Sequence, residues 1–258
     1  MKDYGLVSII TPSYNSSMFI PETIEAICNQ TYQNWELLIT DDCSTDNSVS
    51  IIKSYANKDS RIKLLKTDVN SGAGVCRNES IKAAKGRYIA FCDSDDVWMP
   101  QKLEKQLAFM KQKDCALSYS SYMIMDENNN VYGAVISTKE VDKNSMICDC
   151  GIGCLTAMYD TGKVGKMYMP LIRKRQDWEL WLSILDKCKV AYGLKEPLAY
   201  YRIRKDSISS NKVSLIKHNI RVYQIVLNYS TLKSYLVFFF CFLPHYFFKK
   251  IRVRLNSL

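Results

Sequence analysis

Short apolar runs alternate with helix-period stretches through the first hundred residues. Leu6 to Ile10 is apolar and β-branched and predicts a buried strand. Thr11-Pro12-Ser13-Tyr14-Asn15 breaks it with turn chemistry. Pro21 suits the first turn of a helix, and Phe19, Ile20, Ile24, Ile27 and Cys28 recur at helical spacing. Trp35 to Ile39 is a second strand, ending in Asp41-Asp42-Cys43-Ser44-Thr45-Asp46. Thr45 or Asp46 can cap the next helix, whose Val49, Ile52 and Tyr55 turn inward. Ile62 to Leu65 is a third strand. Asn70-Ser71-Gly72-Ala73-Gly74 follows it and opens a helix through Ala84 that carries Arg77. The fourth strand, Tyr88 to Cys92, ends in Asp93-Ser94-Asp95-Asp96.

Beyond it the pattern is more mixed. Pro100 to Gln112 predicts a helix with Leu103, Leu107 and Met110 on one face. Ala116 to Met125 and Val131 to Ile136 flank Asp126 to Asn130 as a hairpin. Leu155 to Tyr159 predicts a strand and Asp177 to Cys188 a helix with Leu180, Trp181, Ile184 and Leu185 inward. Val190 to Tyr192 and Leu198 to Ile203 predict two strands around Glu196-Pro197, and Lys212 to Tyr229 a helix.

Regular strand–helix alternation predicts βαβ units and a mainly parallel α/β sheet flanked by helices. Every strand in the first half ends in polar residues: Thr11 to Asn15, Asp41-Asp42, Asn70, and Asp93 to Asp96. Open α/β sheets bind ligands outside those carboxyl ends. Four segments distant in sequence are therefore expected to meet at one crevice. Three acids within four residues repel one another, and a hard divalent cation with a preference for oxygen ligands relieves that repulsion. Taken alone, the acids after a strand are equally well explained as a helix cap.

Charge divides the chain. Of the 35 Lys and Arg, eight lie in residues 211–258, which hold no Asp or Glu; the rest carries 27 basic and 26 acidic side chains. The body, residues 1–210, is thus neutral, with a nucleotide-binding half at 1–98 and an acceptor half at 99–210. The 211–258 tail is basic and aromatic, and the body is expected to stand without it. Tyr235 to Phe248 is apolar but interrupted by Pro244 and His245, short of the roughly twenty residues of a spanning helix. Followed by Lys249, Lys250, Arg252 and Arg254, it reads as an interfacial anchor on an anionic membrane surface. A buried helix or a protein-binding face is the other reading. No basic stripe on the body suits nucleic acid. Met1 to Tyr4 leading straight into the strand at Leu6 is expected to leave no room for a secretory leader. The ten cysteines lack zinc spacing, Cys148-Asp149-Cys150 with Cys154 being the nearest approach, and are read as reduced cytosolic thiols.

His218 and His245 are the only histidines and both lie in the tail, which argues against a His-based triad or zinc centre. Arg77 is either a surface residue or a contact to a base or pyrophosphate. Asp177 is either a helix N-cap or a general base. Trp178 and Trp181 can stack on a sugar or pack in the core, and Arg173, Lys174 and Arg175 form a solvated face or an anion contact.

These segments together resemble family 2 glycosyltransferases of the GT-A fold. Ser8 to Asn15 is similar to the family's opening strand and loop. Ile39 to Asp46 resembles its "DDGSTD" signature, with Cys43 where glycine is usual, and Asn70 to Asn78 its "N-x-G-x-x-x-A-R-N", with Cys76 for alanine. Phe91 to Trp98 resembles "DSDD-x-W", Gln176-Asp177-Trp178 "ED-W", and Tyr200 to Ser209 the closing "Y-R-x-H…S-x-S", with Arg204 in place of histidine. The likeness spans about residues 5–211 and is closest in flavour to bacterial teichuronic acid, capsule and O-antigen enzymes.

The resemblance implies an inverting, metal-dependent enzyme that moves a sugar from a UDP-sugar to a glycan or polyprenyl-diphosphate-linked acceptor. It would work at the cytoplasmic face of the inner membrane or in the cytoplasm. Asp41 and Asp42 would meet uracil, and Thr11, Pro12 and Tyr14 would line base and ribose. Asn70, Arg77 and Ser94 would help hold the nucleotide. Asp93 would approach the ribose, and Asp95, with Asp93, would ligate Mn²⁺ or Mg²⁺. Asp177 would be the base, and Arg202 or Arg204 would contact the leaving diphosphate. A nucleotidyltransferase would show a Gly-rich basic loop after the first strand, which Thr11 to Asn15 is not. A binding protein that has lost catalysis would not be expected to keep both metal and base candidates.

Overall fold

A computed structural model describes residues 2–171, 175–204 and 212–245, with only the backbone of 212–215. Arg173, Lys174, Ser207 to Ser209 and the basic residues from Lys249 to Arg254 lie outside the described residues.

The chain runs β1 (Val7–Ser13), α1 (Ile20–Cys28), β2 (Trp35–Asp41), α2 (Ser48–Ala56), β3 (Ile62–Lys66), α3 (Ala73–Ala83) and β4 (Tyr88–Phe91). It continues through β5 (Val97–Trp98), α4 (Lys102–Lys113), β6 (Leu117–Met125), β7 (Val131–Val135), β8 (Glu140–Asp142) and α5 (Lys143–Cys148). Then come β9 (Met158–Asp160), α6 (Thr161–Val164), α7 (Gln176–Cys188), β10 (Val190–Arg202), α8 (Lys212–Val226) and α9 (Thr231–Val237), with a π-helical turn over Phe238–Phe242. The strands form one mixed sheet in the order β3-β2-β1-β4-β9-β6-β10-β5, with β7 beside β6 and β8 beside β10.

β1 pairs in parallel with both β2 and β4. The chain therefore winds outward from β1 through β2 to β3, then returns to the other side of β1 as β4. That reversal opens a crevice at the carboxyl ends of β1 and β4. Neighbouring residues on these strands face opposite layers, and both faces are covered, which explains the near-continuous apolar runs. Ile9, Leu37 and Ala90 pack with Ile24 of α1, Ile52 of α2 and Leu107 of α4. Ile10, Leu38 and Ile89 pack with Ile81 of α3, Trp181 of α7 and Tyr223 of α8.

The structure departs from the sequence reading in several places. β1 does not stop at Ile10 but runs on through Pro12 to Ser13, because β2 continues beside it to Asp41. The two strands expected around Pro197 are one strand, β10, with register shifts at Leu194/Pro197 and Pro197/Tyr200; bulges absorb the residue that cannot donate. The expected strand from Leu155 starts only at Met158, after a 3₁₀ turn. Asp46 is not the formal cap of α2, which is Asn47, but its carboxylate accepts from the Ser48 backbone N–H at 2.9 Å and so serves that end.

Part of the tail packs into the body. Ile220, Val222, Tyr223, Phe238 and Phe242 are buried in the same core as α7. Trp178 is fully buried, with Tyr223 and Phe242 rings each 5.7 Å away. Cys148 and Cys241 form a disulfide, contrary to the expectation of reduced thiols throughout, because α5 and the π-helical turn pack side by side. The other eight cysteines are not in disulfides. Among the described residues no helix is long and apolar enough to cross a membrane.

Candidate active site

At the end of β1, Thr11 is fully buried and its Oγ1 lacks a hydrogen-bond partner. Pro12 is buried beside it, and Tyr14 stands half-exposed at the rim. The Ser13 carbonyl accepts from the Asp42 N–H at 2.8 Å, coupling β1's end to the second acidic segment.

Asp41 and Asp42 are both buried. Asp41 accepts from the Ser44 N–H at 3.0 Å and its hydroxyl at 2.5 Å, which closes the turn after β2. That turn puts Cys43 at φ +62°, a left-handed conformation where glycine carries no Cβ cost. Asp42 accepts from the Ser71 and Gly72 backbone N–H groups, both at 2.8 Å. It thereby caps α3 from another strand, since Gly72 is that helix's N-cap residue. Asn70 donates to the Asp42 carbonyl at 3.1 Å. Both acids thus hold loops at the crevice floor.

Arg77 is neither a surface residue nor directed outward. It is buried, with its guanidinium 2.5 Å from Asp93 and 3.5 Å from Gln176 Oε1. Burial works against its charge, yet the Asp93 carboxylate beside it, with Asp177 adding to the field, keeps it firmly protonated. Gly74 makes this approach possible: a Cβ there would lie 2.7 Å from the Gln176 side chain. Asp177 is the second residue of α7, which starts at Gln176, so it is not the N-cap; Arg175 is. Both Trp178 and Trp181 are fully buried and available only for packing.

The acidic run after β4 splits three ways. Asp93 meets Arg77. Asp95 pairs with Arg204 at 3.2 Å. Burial, and then Asp93, push the Asp95 carboxyl above its usual range while Arg204 opposes the shift. Asp96 is buried and caps no helix, contrary to one expectation: β5 follows it, and its carboxyl accepts the Arg202 N–H at 3.0 Å. Burial raises its pKa well above the carboxylate range, with Asp95 and Asp93 adding to the rise. Ser94 is buried between the two exposed-edge acids.

Arg202, one of the two arginines expected at a leaving diphosphate, has its donors engaged within the fold. It donates to the Asp95 carbonyl at 2.8 Å, the Asp126 carbonyl at 3.3 Å, the Asn129 side chain, and Glu22 at 2.6 Å. Glu22 and Asn129 were invisible as site residues in sequence; Glu22 lies 180 positions from its partner.

Asp93 and Asp95 fit a hard divalent cation. They are two partly exposed carboxylates one residue apart in sequence, the oxygen-donor chemistry such an ion prefers.

The family model described as Glycosyl transferase family 2 matches residues 8–158, which span β1 to the start of β9. The chain belongs to glycosyltransferase family 2. Like the rest of that family it is a glycosyltransferase, on a GT-A fold. It is 44% identical over 220 residues, covering 85% of this chain and 87% of the relative, to a Bacillus subtilis protein named "Putative teichuronic acid biosynthesis glycosyltransferase TuaG". It is 41% identical over 218 residues, 84% of each chain, to an Escherichia coli protein named as a UDP-Glc:alpha-D-GlcNAc-diphosphoundecaprenol beta-1,3-glucosyltransferase, WfgD. Among solved folds, S. aureus TarS 1–349 in complex with UDP-GlcNAc superposes with a TM-score of 0.69 at 21% identity, covering 88% of this chain and 69% of that one. The Pyrobaculum calidifontis mannosyltransferase PcManGT, with GDP-Man and Mn²⁺, gives 0.65 at 13% identity, covering 88% of this chain and 65% of that one.

Proposed function

We propose that this family 2 enzyme transfers a sugar from a UDP-sugar to a lipid-diphosphate-linked acceptor, with inversion, in bacterial cell-surface polysaccharide synthesis. The observation that carries this reading is the Arg77 bridge. It joins the acidic end of β4 to Gln176, the residue before Asp177 on α7, which supports reading donor and base candidates as neighbours. The names of the relatives, one of them a UDP-glucose enzyme acting on a diphosphoundecaprenol-linked sugar, support the substrate class.

In this reading Thr11, Pro12 and Tyr14 line the base and ribose, with Asp41, Asp42 and Asn70 shaping the loop against uracil. Asp93 and Ser94 border the ribose and diphosphate. Asp95 and Asp93 would hold a divalent cation, which when bound would neutralise charge building on the departing diphosphate. Asp177 accepts the proton of an acceptor hydroxyl. That oxygen forms its bond to the anomeric carbon from the face opposite UDP as the bond to UDP breaks, and the configuration inverts. Of the two arginines, the partly exposed Arg204 is the candidate for the leaving diphosphate, since the donors of Arg202 are already engaged.

Membrane association completes the reading. Leu232, Tyr235, Leu236, Phe239 and Phe240 are exposed and follow at i, i+3, i+4, i+7 and i+8, one stripe on the outer side of α9 and the π-helical turn. The surrounding 211–258 stretch bears eight basic residues and no acid. That combination suits an anionic lipid surface. Phe239→Ser with Phe240→Ser is expected to abolish sedimentation with phosphatidylglycerol vesicles and leave melting unchanged; undiminished sedimentation would remove the membrane from the account.

The reaction is tested by incubating the full chain with UDP-sugars, Mn²⁺ and a lipid-diphosphate-linked sugar. Release of UDP with formation of one inverted glycosidic linkage, read by NMR, is expected. No transfer from any UDP-sugar, or a retained anomeric configuration, would contradict the proposal.

A further inference from the structure

Two arginines at the end of β10 approach the acidic run, and they are not equivalent. Arg202 is the last residue of the strand; its side chain is 1% exposed and its donors reach Glu22, Asn129 and two backbone carbonyls. Arg204 lies two residues beyond the strand. The Ile203 N–H still donates to the Met125 carbonyl at 2.9 Å, so the backbone is pinned just before it. The Arg204 side chain is 29% exposed and its guanidinium, 5.2 Å over the Phe19 ring, meets Oδ2 of Asp95 at 3.2 Å. One arginine is a fixed strut. The other is tethered at its base and has a partly solvated head.

Resting on the functional reading above, we infer that Arg204 is an exchangeable counter-ion for Asp95. It occupies that carboxylate when no donor is bound and withdraws onto the donor's diphosphate when the metal enters. The physical reason is charge. A guanidinium on one oxygen of Asp95 and a divalent cation on the other would sit within a few ångströms of each other and repel. Asp95 therefore binds one well only at the expense of the other. A diphosphate offers Arg204 a second anionic partner with fork-matching geometry, so its arrival favours release. Two consequences follow by linkage. Metal binds weakly to the nucleotide-free enzyme, and nucleotide and metal strengthen each other's binding more than simple co-ligation by the diphosphate would. The metal then enters together with the nucleotide rather than ahead of it.

Mn²⁺ binding to the full chain, followed by electron paramagnetic resonance with and without UDP, tests this. Arg204→Gln is expected to bind Mn²⁺ roughly two- to fivefold more tightly than wild type without UDP, the upper range for loss of a partly exposed ion pair. Arg204→Lys, which keeps the charge, is expected to stay within about twofold of wild type. The factor by which UDP strengthens Mn²⁺ binding is expected to shrink in Arg204→Gln. In an Asp95→Asn background the Arg204→Gln gain is expected to vanish, which ties the effect to this pair. If wild type forms the UDP–Mn²⁺ complex but Arg204→Gln binds Mn²⁺ no more tightly than wild type without UDP, the exchange is wrong while the donor-site reading stands. If wild type binds no Mn²⁺ even with UDP, both fall.

Discussion

The Arg77 guanidinium lies 2.5 Å from the Asp93 carboxylate and 3.5 Å from the Gln176 side chain. A residue of α3 thus ties the acidic end of β4 to the first residue of α7, across 16 and 99 positions of sequence. Removing one partner of a buried pair leaves the other charge uncompensated. Asp93 is partly exposed, which moderates the cost. Arg77→Met is expected to lower unfolding free energy by about 2–3 kcal/mol in urea titrations. Arg77→Lys should recover less than half of it, because lysine lacks the fork that reaches two partners. A loss under about 0.5 kcal/mol for Arg77→Met, the level of an ordinary surface change, would contradict the bridging role.

Lys102 gives the molecule a pH signature. It is fully buried, donates to Gln106 Oε1 at 2.8 Å and lies 4.0 Å over the Trp98 ring. Burial pushes its pKa down to about 7, with the nearby Cys92 only weakly opposing. The unfolded chain holds this proton up to its ordinary value of 10.5, so between the two values the unfolded state binds more protons. The penalty for charging Lys102 is complete below pH 7 and fades as pH rises towards 10.5. Between pH 7 and 8.5 the stability of wild type relative to Lys102→Met is expected to rise by about 1–2 kcal/mol. Equal pH slopes for the two proteins would show that Lys102 does not titrate in this window.

The tail makes a third prediction. The Cys148–Cys241 disulfide closes a loop of 93 positions and fixes the π-helical turn beside α5. Cys241→Ser, or reduction of wild type, is expected to cost about 2–4 kcal/mol. A chain ending at residue 210 is expected to lose cooperative unfolding, because Tyr223, Phe238 and Phe242 no longer cover Trp178. A truncated chain that melts like the full one would restore the tail to the status of an appendage.

The sequence was informative where local pattern decides structure. Apolar runs that end in polar residues mark strand termini, two of the four ending in acids, Asp41-Asp42 and Asp93 to Asp96. Cys43, where the family signature usually carries glycine, takes a left-handed conformation at φ +62°. The two readings of the tail, membrane face and buried helix, could not be told apart in sequence for a physical reason. Phe238 and Phe242 point inward and Phe239 and Phe240 outward, and an apolar run reads the same whether its partner is a core or a lipid. The roles of the arginines were also illegible. Whether Arg202 or Arg204 is the mobile one depends on Glu22 and Asn129, brought in by folding from 180 and 73 positions away. Short elements such as β5, β8 and α5 carry too few residues to set a period.

The central claim is that Asp177 removes the acceptor's proton beside a donor site it does not build. It is tested most directly by Asp177→Asn, comparing transfer from UDP-sugar to a lipid-diphosphate-linked acceptor with UDP affinity in Mn²⁺. Transfer is expected to fall by about 10²–10⁴-fold while UDP affinity stays within about twofold of wild type. Transfer within tenfold of wild type, or UDP affinity falling in step with transfer, would contradict it.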